Sequence, residues 1–448
     1  MLRSAFGLLV VQVLLAACDS GFTSPPPAPP PIDAELRATI GTWGSVPIGA
    51  IPAQNQAQVD LGQALFFDKI LSGNRDVACA TCHDPSTALT DGRSLAIGTG
   101  GHGVGPARSL GAGRKFTTRG APTLLNSGLG LFYLFWDARL FGSRGTFSLE
   151  ADIPLPPNLP DILTAQAMLP VLNRAEMRGE SGDRDALGNS NELARLADDR
   201  PDLAWEAIMN RLLAIQEYVA KFKAAFPETG RPRFEQAARA LAVFQLAAFS
   251  KTGSPFDRYL ERDDAAMTLE QKRGGLLFFG RARCSSCHNG PLLGGTSFAN
   301  VGAPQVGPGG KAPPLDQGRG EHQENDVYRF AFRVAPLRNV ELTAPYFHSG
   351  AYPTLEAVVG HYNEVPKALR EYDPAQLPAD VRPSYHGDAA TIGAVLATLD
   401  GRLQQPLQLN AGEIHDLVTF LKALTDPAAR DLRALIPQRV PSGLPVRE

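Results

Sequence analysis

The pattern C-x-x-C-H occurs twice in the chain, as CATCH at residues 79–83 and as CSSCH at residues 284–288. Each copy follows the same local plan, a short amphipathic helix that ends in Leu-Phe-Phe (QVDLGQALFF and TLEQKRGGLLFF) and then a turn. Between the copies, apolar residues recur at helical spacing over 201–226 and 233–249. We therefore predict a mainly α fold with two cytochrome c-like haem domains that arose by an internal duplication.

Haem is predicted from the residues of the pattern itself. The two thiols add to the vinyl groups of the porphyrin, and the adjacent imidazole supplies an axial nitrogen to the iron. A zinc site or a redox dithiol is the alternative use of such cysteines, but both copies are followed at once by histidine. The expected cofactors are two covalently bound haem c groups, attached through Cys79 and Cys82 and through Cys284 and Cys287, with His83 and His288 as proximal ligands.

The N-terminal residues have the features of an export signal. Arg3 precedes the apolar run FGLLVVQVLLAA, and small residues stand directly before Cys18. We predict that 1–18 is a lipoprotein signal peptide and that the mature chain begins at the lipidated Cys18. The proline-rich residues 19–33 would then form an extended tether. A plain secretory signal or an uncleaved anchor, and a polyproline ligand or ordinary disorder in the tether, are the alternatives.

Further boundaries and partners follow from composition. Gly, Ser and Pro interrupt the helical pattern at SKTGSP, which predicts an N-terminal domain at 34–253, a C-terminal domain at 254–427 and a tail at 428–448. A net charge of -3 without a basic stripe argues against nucleic acid as a partner. We expect a periplasmic protein that touches a bacterial membrane only through its N-terminal lipid.

Six segments give a family resemblance when they are taken together and in order: FFDKILSGNRDVACATCHDP, RGAPTLLNSGLGLFYLFWDAR, QAMLPVLNRAEM, SPFDRYL, CSSCHNGPLLGG and LRNVELTAPYFHSGAYPTLEAVVGHYN. Between residues 54 and 425 the chain resembles the bacterial di-haem cytochrome c peroxidases and their relative MauG. The resemblance implies a haem that reacts with hydrogen peroxide in the N-terminal domain and an electron-transfer haem in the C-terminal domain. It also implies a redox-protein donor (cytochrome c or a cupredoxin) or a protein substrate.

The same resemblance implies three catalytic residues. Glu176 and Gln166 match a glutamate and a glutamine that face the open side of the first haem, and Trp136 matches a tryptophan between the haems. A carboxylate beside bound peroxide can carry a proton from the near oxygen to the far one. A solvated glutamate and a core tryptophan are the plainer readings. Residues 143–160 are an additional segment between Trp136 and Gln166 that we expect to shape access to the first haem.

Two further family features have partial matches. His102, in a Gly-His-Gly setting, corresponds to a histidine that caps the resting first haem in many peroxidases, and a free loop histidine is the alternative. Thr343 and Pro345 match two carbonyl donors of a calcium ion held between the domains. Gly120 stands where the family has the asparagine ligand, which weakens the expectation of calcium because this ion needs several oxygen donors.

The second axial ligand of the second haem is methionine in the peroxidases, seven residues after the leucine of an LEAVV-like helix. Counting from Leu355 reaches Tyr362, where MauG also has tyrosine, and no methionine follows Met267. His361 as ligand and a packing role for Tyr362 are the alternatives. A phenolate favours ferric and higher states of iron, which favours MauG-like oxidation of a bound partner. A peroxidase with a soluble donor and a non-catalytic electron-transfer lipoprotein are the other readings.

Overall fold

A computed structural model describes residues 31–447, except 144, 152 and 324. The predicted signal peptide, Cys18 and most of the tether lie outside the described residues. The prediction of a mainly α fold is confirmed. Up to Ser250 the helices are α1 (Ile32–Thr42), α2 (Gln56–Phe67), α3 (Cys79–Cys82), α4 (Ile162–Ala167), α5 (Pro201–Leu213), α6 (Gln216–Ala225) and α7 (Phe234–Phe249). Beyond it they are α8 (Pro255–Leu260), α9 (Leu269–Phe279), α10 (Leu355–Asn363), α11 (Val365–Arg370), α12 (Ala389–Ala397) and α13 (Ala411–Lys422).

The strands are short and antiparallel. They are β1 (Tyr133–Leu134), β2 (Leu140–Ser143), β3 (Thr146–Leu149), β4 (Phe298–Ala299) and β5 (Phe332–Arg333). One sheet has the order β1-β2-β3, with Leu140 opposite Leu149, and the other pairs β4 with β5. The additional segment (143–160) thus begins at the last residue of β2 and supplies β3.

Two large hydrophobic clusters organise the helices. The first gathers apolar side chains of α2, α4, α5, α6 and α7, and the second gathers those of α1, α8, α9, α10 and α13. In each cluster the Phe-Phe pair that precedes a C-x-x-C-H segment packs edge to face with other phenylalanines. The burial of these large aromatic rings is a main source of the stability of both clusters.

The two helices that precede the C-x-x-C-H segments approach their neighbours in the same way. Gly62 of α2 lies so close to α7 that a Cβ at this position would be 2.1 Å from the carbonyl oxygen of Ala240. Gly274 of α9 has the same relation to α13, where a Cβ would be 1.9 Å from the carbonyl oxygen of Asp416. Each glycine stands four positions before the first phenylalanine of its pair. The two halves therefore share a local plan, while duplication of whole domains stays a prediction.

Both ends of the described chain pack on the cluster formed by the opposite half. Leu36 and Ile40 of α1 belong to the second cluster, although the sequence places them at the start of the N-terminal domain. Val440, in the predicted tail, is buried in the first cluster, and Ser442 donates a hydrogen bond of 2.6 Å to Asp68. The boundary near residue 254 stays a prediction. The N-terminal end of the described chain packs on the second cluster, and the C-terminal end packs on the first.

Among the described residues, no helix combines the length and apolar character needed to cross a membrane.

Candidate functional site

A cavity of about 600 Å³ touches both C-x-x-C-H segments. Its walls are mostly apolar, and they include Cys82 and His83 from the first segment and Cys284, Cys287 and His288 from the second. Residues separated by some two hundred positions in the sequence are thus brought to one internal space.

The first segment presents a neutral imidazole to this cavity. Helix α3 is a single turn that carries both cysteines, and His83 follows at its C-terminal end. The Nδ1 atom of His83 lies 3.1 Å from the carbonyl oxygen of Leu89. Because a carbonyl only accepts, Nδ1 carries the proton and Nε2 keeps a free lone pair. Burial lowers the pKa of His83 to about 4, so the ring is an uncharged nitrogen donor at neutral pH.

The second segment repeats this arrangement. Its cysteines lie on and just after a turn of 3₁₀ helix at Cys284–Ser286, and His288 follows. The Nδ1 atom of His288 is 3.1 Å from the carbonyl oxygen of Leu293, and burial lowers the pKa of this histidine to about 4 as well. The two histidines therefore offer equivalent Nε2 lone pairs to one cavity.

The residues present fit two haem groups. Among the described residues, Cys79, Cys82, Cys284 and Cys287 form no disulfide, so all four thiols are available for attachment. Elsewhere on the wall, Nη2 of Arg338 and Nε2 of His348 are buried, and neither has a hydrogen-bond partner within the described part of the chain. Arg338 is already paired through Nη1 with Asp257 over 2.7 Å, so the atoms that lack partners are its Nη2 and Nε2 of His348, and the carboxylate side chains of a haem are suitable partners for them.

Glu176 and Gln166 line the cavity on the side of the first segment. Glu176 belongs to a short π-helical turn, Arg174–Arg178, whose N-cap is Asn173. A residue distant in the chain stabilises this turn, because the amide of Thr99 donates a hydrogen bond of 3.0 Å to the carbonyl of Glu176. Among the described residues, no group donates a hydrogen bond to the Glu176 carboxylate. Its pKa is raised to about 7 by burial, against the opposing influence of the Arg139 cation.

Trp136 also lines the cavity, and its orientation is fixed. Its indole nitrogen donates a hydrogen bond of 2.9 Å to the carbonyl oxygen of Gly120, and its own carbonyl accepts one of 2.7 Å from the amide of Arg333. The guanidinium of Arg333 lies 5.9 Å from the centre of the indole ring. The ring is therefore held on the wall shared by both halves.

Tyr362 and His361, the two candidate iron ligands in GHYN, have different surroundings. Tyr362 lines the cavity, and its hydroxyl forms no hydrogen bond within the described residues. His361 is 1% exposed and does not line the cavity; its Nε2 lies 2.8 Å from the carbonyl oxygen of Val301. The Nδ1 atom of His361 accepts a hydrogen bond from Tyr352. Both nitrogens of His361 are thus occupied, and the free oxygen at this helix end belongs to Tyr362.

His102 is not brought together with these residues. It is exposed, it does not line the cavity, and its backbone forms a β-bridge with Ser109. The buried guanidinium of Arg108 donates hydrogen bonds to the carbonyls of Ile97, Gly98 and Gly103. The loop that carries His102 is therefore anchored.

The residues at the expected calcium position do not fit that ion. Thr343 and Pro345 line the cavity, but the carbonyl of Gly120 is engaged by the indole of Trp136. A side chain at position 120 would meet the carbonyl oxygen of Ser94 at 2.8 Å, so the missing asparagine has no room. Two backbone carbonyls are too few for a calcium site.

Sequence reasoning missed a buried ionic cluster beside Trp136. One oxygen of Asp137 is 2.6 Å from Arg119, 2.7 Å from Arg139 and 3.2 Å from Nε2 of His322. These cations and the hydrogen bonds to them hold the pKa of Asp137 well below its ordinary value, although burial acts in the opposite direction. The charged residues next to tryptophan in FWDAR were the available signal.

Comparison with known proteins agrees with this site. Residues 56–265 match the family model described as di-haem cytochrome c peroxidase. Cytochrome c551 peroxidase of Pseudomonas aeruginosa is 32% identical over 79% of this chain and 82% of its own length. The chain belongs to the di-haem cytochrome c peroxidase family. The resemblance seen in the sequence is thus confirmed.

Other relatives of the family lie on the MauG side. Methylamine utilization protein MauG of Methylorubrum extorquens is 29% identical, over 90% of this chain and 88% of its own. A crystal structure of a MauG-like protein associated with microbial copper homeostasis has a TM-score of 0.58 at 26% identity, covering 87% of this chain and 95% of that one. The chain is therefore an oxidoreductase of a family that carries two haem groups.

Proposed function

We propose that this enzyme reacts with hydrogen peroxide at a haem attached to Cys79 and Cys82, and that a second haem attached to Cys284 and Cys287 receives and passes on electrons. The observation that carries the proposal is Glu176, a carboxylate on the cavity wall beside the first segment that accepts no hydrogen bond from the described part of the chain. With a pKa near 7, it can both accept and donate a proton at physiological pH.

The residues of the chain divide the work as follows. His83 would hold the first haem iron through its free Nε2, and the bound haem would supply the electrons needed to break the O–O bond. Glu176 takes the proton from the nearer oxygen of peroxide and returns it to the farther oxygen, which leaves as water. Gln166, beside Glu176, donates or accepts a hydrogen bond that orients peroxide.

His288 and Tyr362 would hold the iron of the second haem. Support comes from the free hydroxyl of Tyr362 in the cavity and from the two occupied nitrogens of His361. An anionic oxygen ligand stabilises oxidised iron, so this haem would be a poor acceptor for electrons from a high-potential donor. We infer a MauG-like reaction in which oxidising equivalents, shared through Trp136, are used on a bound protein or organic substrate.

A cytochrome c peroxidase reaction is the second candidate, favoured by the 32% identity to the Pseudomonas aeruginosa enzyme. The two reactions are separated by steady-state turnover with reduced cytochrome c or a reduced cupredoxin. Sustained oxidation of the donor at micromolar peroxide supports the peroxidase. Rapid reaction with peroxide but negligible donor turnover supports the MauG-like reaction. The carrier alternative predicts no reaction with peroxide at all.

The test of the peroxide site is Glu176→Gln in stopped-flow spectroscopy of the diferric protein. The change keeps the size of the side chain and removes proton transfer, so the second-order rate with peroxide should fall by about 10²–10⁴-fold. Glu180→Gln is the matched control, because Glu180 is an exposed carboxylate two residues beyond the same turn. Equal rates for wild type and Glu176→Gln would refute the assignment.

The location is proposed from the sequence alone, as a periplasmic lipoprotein anchored through Cys18. Cys18→Ser should move the haem protein from the membrane fraction to the soluble fraction of osmotically shocked cells. Wild-type protein found in the soluble fraction would contradict the lipid anchor.

A further inference from the structure

His322 is a buried histidine on the cavity wall with one free ring nitrogen. Its side chain is 5% exposed and lines the cavity that contains Trp136 and Glu176. Nε2 lies 3.2 Å from the Asp137 carboxylate, while Nδ1 has no hydrogen-bond partner in the described part of the chain.

The hydrogen bond to Asp137 determines which nitrogen is free. Asp137 is held as an anion by Arg119 and Arg139, so its oxygen can only accept. Nε2 of His322 therefore carries a proton, and Nδ1 of the neutral ring presents a lone pair. The ring can gain a proton on Nδ1 without giving up the hydrogen bond that orients it.

The additional segment helps to hold this position. Glu150, directly after β3, accepts hydrogen bonds from Arg319 and Gln323, which lie on either side of His322 in the chain. The amide of Glu150 in turn donates a hydrogen bond of 2.7 Å to the carbonyl of Arg139. The additional segment thus links the turn that contains His322 to the residues that follow Asp137.

Charges of both signs lie near the ring. The cations are Arg119 and Arg139 beside Asp137, Arg333 on the same cavity wall, and Arg319 on its own turn. The anions are Asp137, Asp316 and Glu150, together with Glu321, whose pKa is raised by burial and by the neighbouring Asp316. A negative charge added to the cavity would then shift the balance toward the protonated ring.

This wall also leads to the protein surface. Gly310 and Lys311 line the same cavity as Glu321 and His322, and the side chain of Lys311 is exposed. The wall that contains His322 therefore also includes polar residues near the protein surface.

We propose that His322, held by Asp137, is a redox-linked proton site that gains a proton on Nδ1 when an electron enters the cavity. Reduction of peroxide consumes protons and electrons equally, H2O2 + 2 e⁻ + 2 H⁺ → 2 H2O, with the electrons supplied by a one-electron redox protein or an organic reductant. His322 stores a proton close to the point of use and releases it when an electron leaves. The proposal rests on the proposed function in one respect, the presence of two haem groups in the cavity.

The test is proton uptake during anaerobic reduction of the purified haem protein, in weak buffer with a pH indicator. It uses no peroxide, so its outcome is independent of whether the enzyme proves to be a peroxidase. Wild type should take up protons on reduction at neutral pH. His322→Gln, which can still donate to Asp137, should reduce the uptake by up to one proton per molecule.

The controls make either result decisive. His386→Gln changes another partly buried histidine, whose Nε2 is bonded to the carbonyl of Gly307 and which does not line the cavity. This variant should behave as wild type. Equal uptake by wild type and a folded His322→Gln overturns the proposal, and so does an absence of uptake by wild type, which needs no variant. A peroxide-inert wild type with His322-dependent uptake would refute only the proposed function.

Discussion

The hydroxyl of Tyr352 donates a hydrogen bond of 2.9 Å to Nδ1 of His361. The other nitrogen of the same ring donates to the carbonyl of Val301, so His361 is a structural residue of α10. The next residue, Tyr362, turns its oxygen to the cavity. One residue along a helix rotates the side chain by about 100°, which explains why the adjacent positions have such different surroundings.

Replacing Tyr362 by phenylalanine should change the low-spin signal of the second haem in the low-temperature EPR spectrum of the diferric protein. The phenyl ring keeps the packing and removes the only oxygen that the side chain offers to iron. Tyr385→Phe, outside the cavity, should leave the spectrum unchanged. A spectrum of Tyr362→Phe identical to that of wild type would mean that this tyrosine only packs.

His102→Ala should react with peroxide as fast as wild type, without prior reduction of the protein. The physical reason is that His102 is exposed and that Arg108 anchors its loop through three backbone carbonyls. Stopped-flow spectra of the as-isolated protein provide the measurement. A large acceleration in His102→Ala, or a need for reduction in wild type only, would show that His102 caps the first haem.

The sequence predicted those parts of the site whose chemistry requires neighbouring residues. The two cysteines and the histidine that would hold each haem stand within five positions, so the pattern names all of them. Asp137 and His322 are 185 positions apart, and only the fold makes them neighbours. No spacing rule applies to such a pair. The same holds for α1, whose apolar face gives no sign that it packs with α9.

The rate of the peroxide reaction should rise with pH through about 7 and then level off, because the Glu176 carboxylate must be ionised to accept a proton. Glu176→Gln should lose this dependence.

The stability of the folded protein should change with pH in the direction opposite to the reaction rate. The folded-state pKa lies above the ordinary value of 4.5, so the folded protein binds more protons than the unfolded chain, and stability falls as pH rises from about 4.5 to about 7.

Chemical denaturation at pH 5 and at pH 8 checks this second consequence. The glutamine side chain of Glu176→Gln cannot ionise. This variant should therefore be more stable than wild type at pH 8, and should differ little from wild type at pH 5. A gain of equal size at both values would show that ionisation of Glu176 is not the cause.

Gly62→Ala and Gly274→Ala should each lower the free energy of unfolding by about 1–3 kcal/mol, since the added methyl groups would collide with backbone carbonyls of α7 and α13. Neither backbone can move away without disturbing the Phe-Phe pair one turn later. Gly393→Ala is the matched control: it is an exposed position within α12 with no atom close to an added Cβ, and it should gain about 0.5–1 kcal/mol from helix propensity. Guanidinium denaturation followed by far-UV circular dichroism and by Soret absorbance measures all three. If Gly62→Ala and Gly274→Ala were as stable as Gly393→Ala, the close helix contacts beneath the two C-x-x-C-H segments would not be those described.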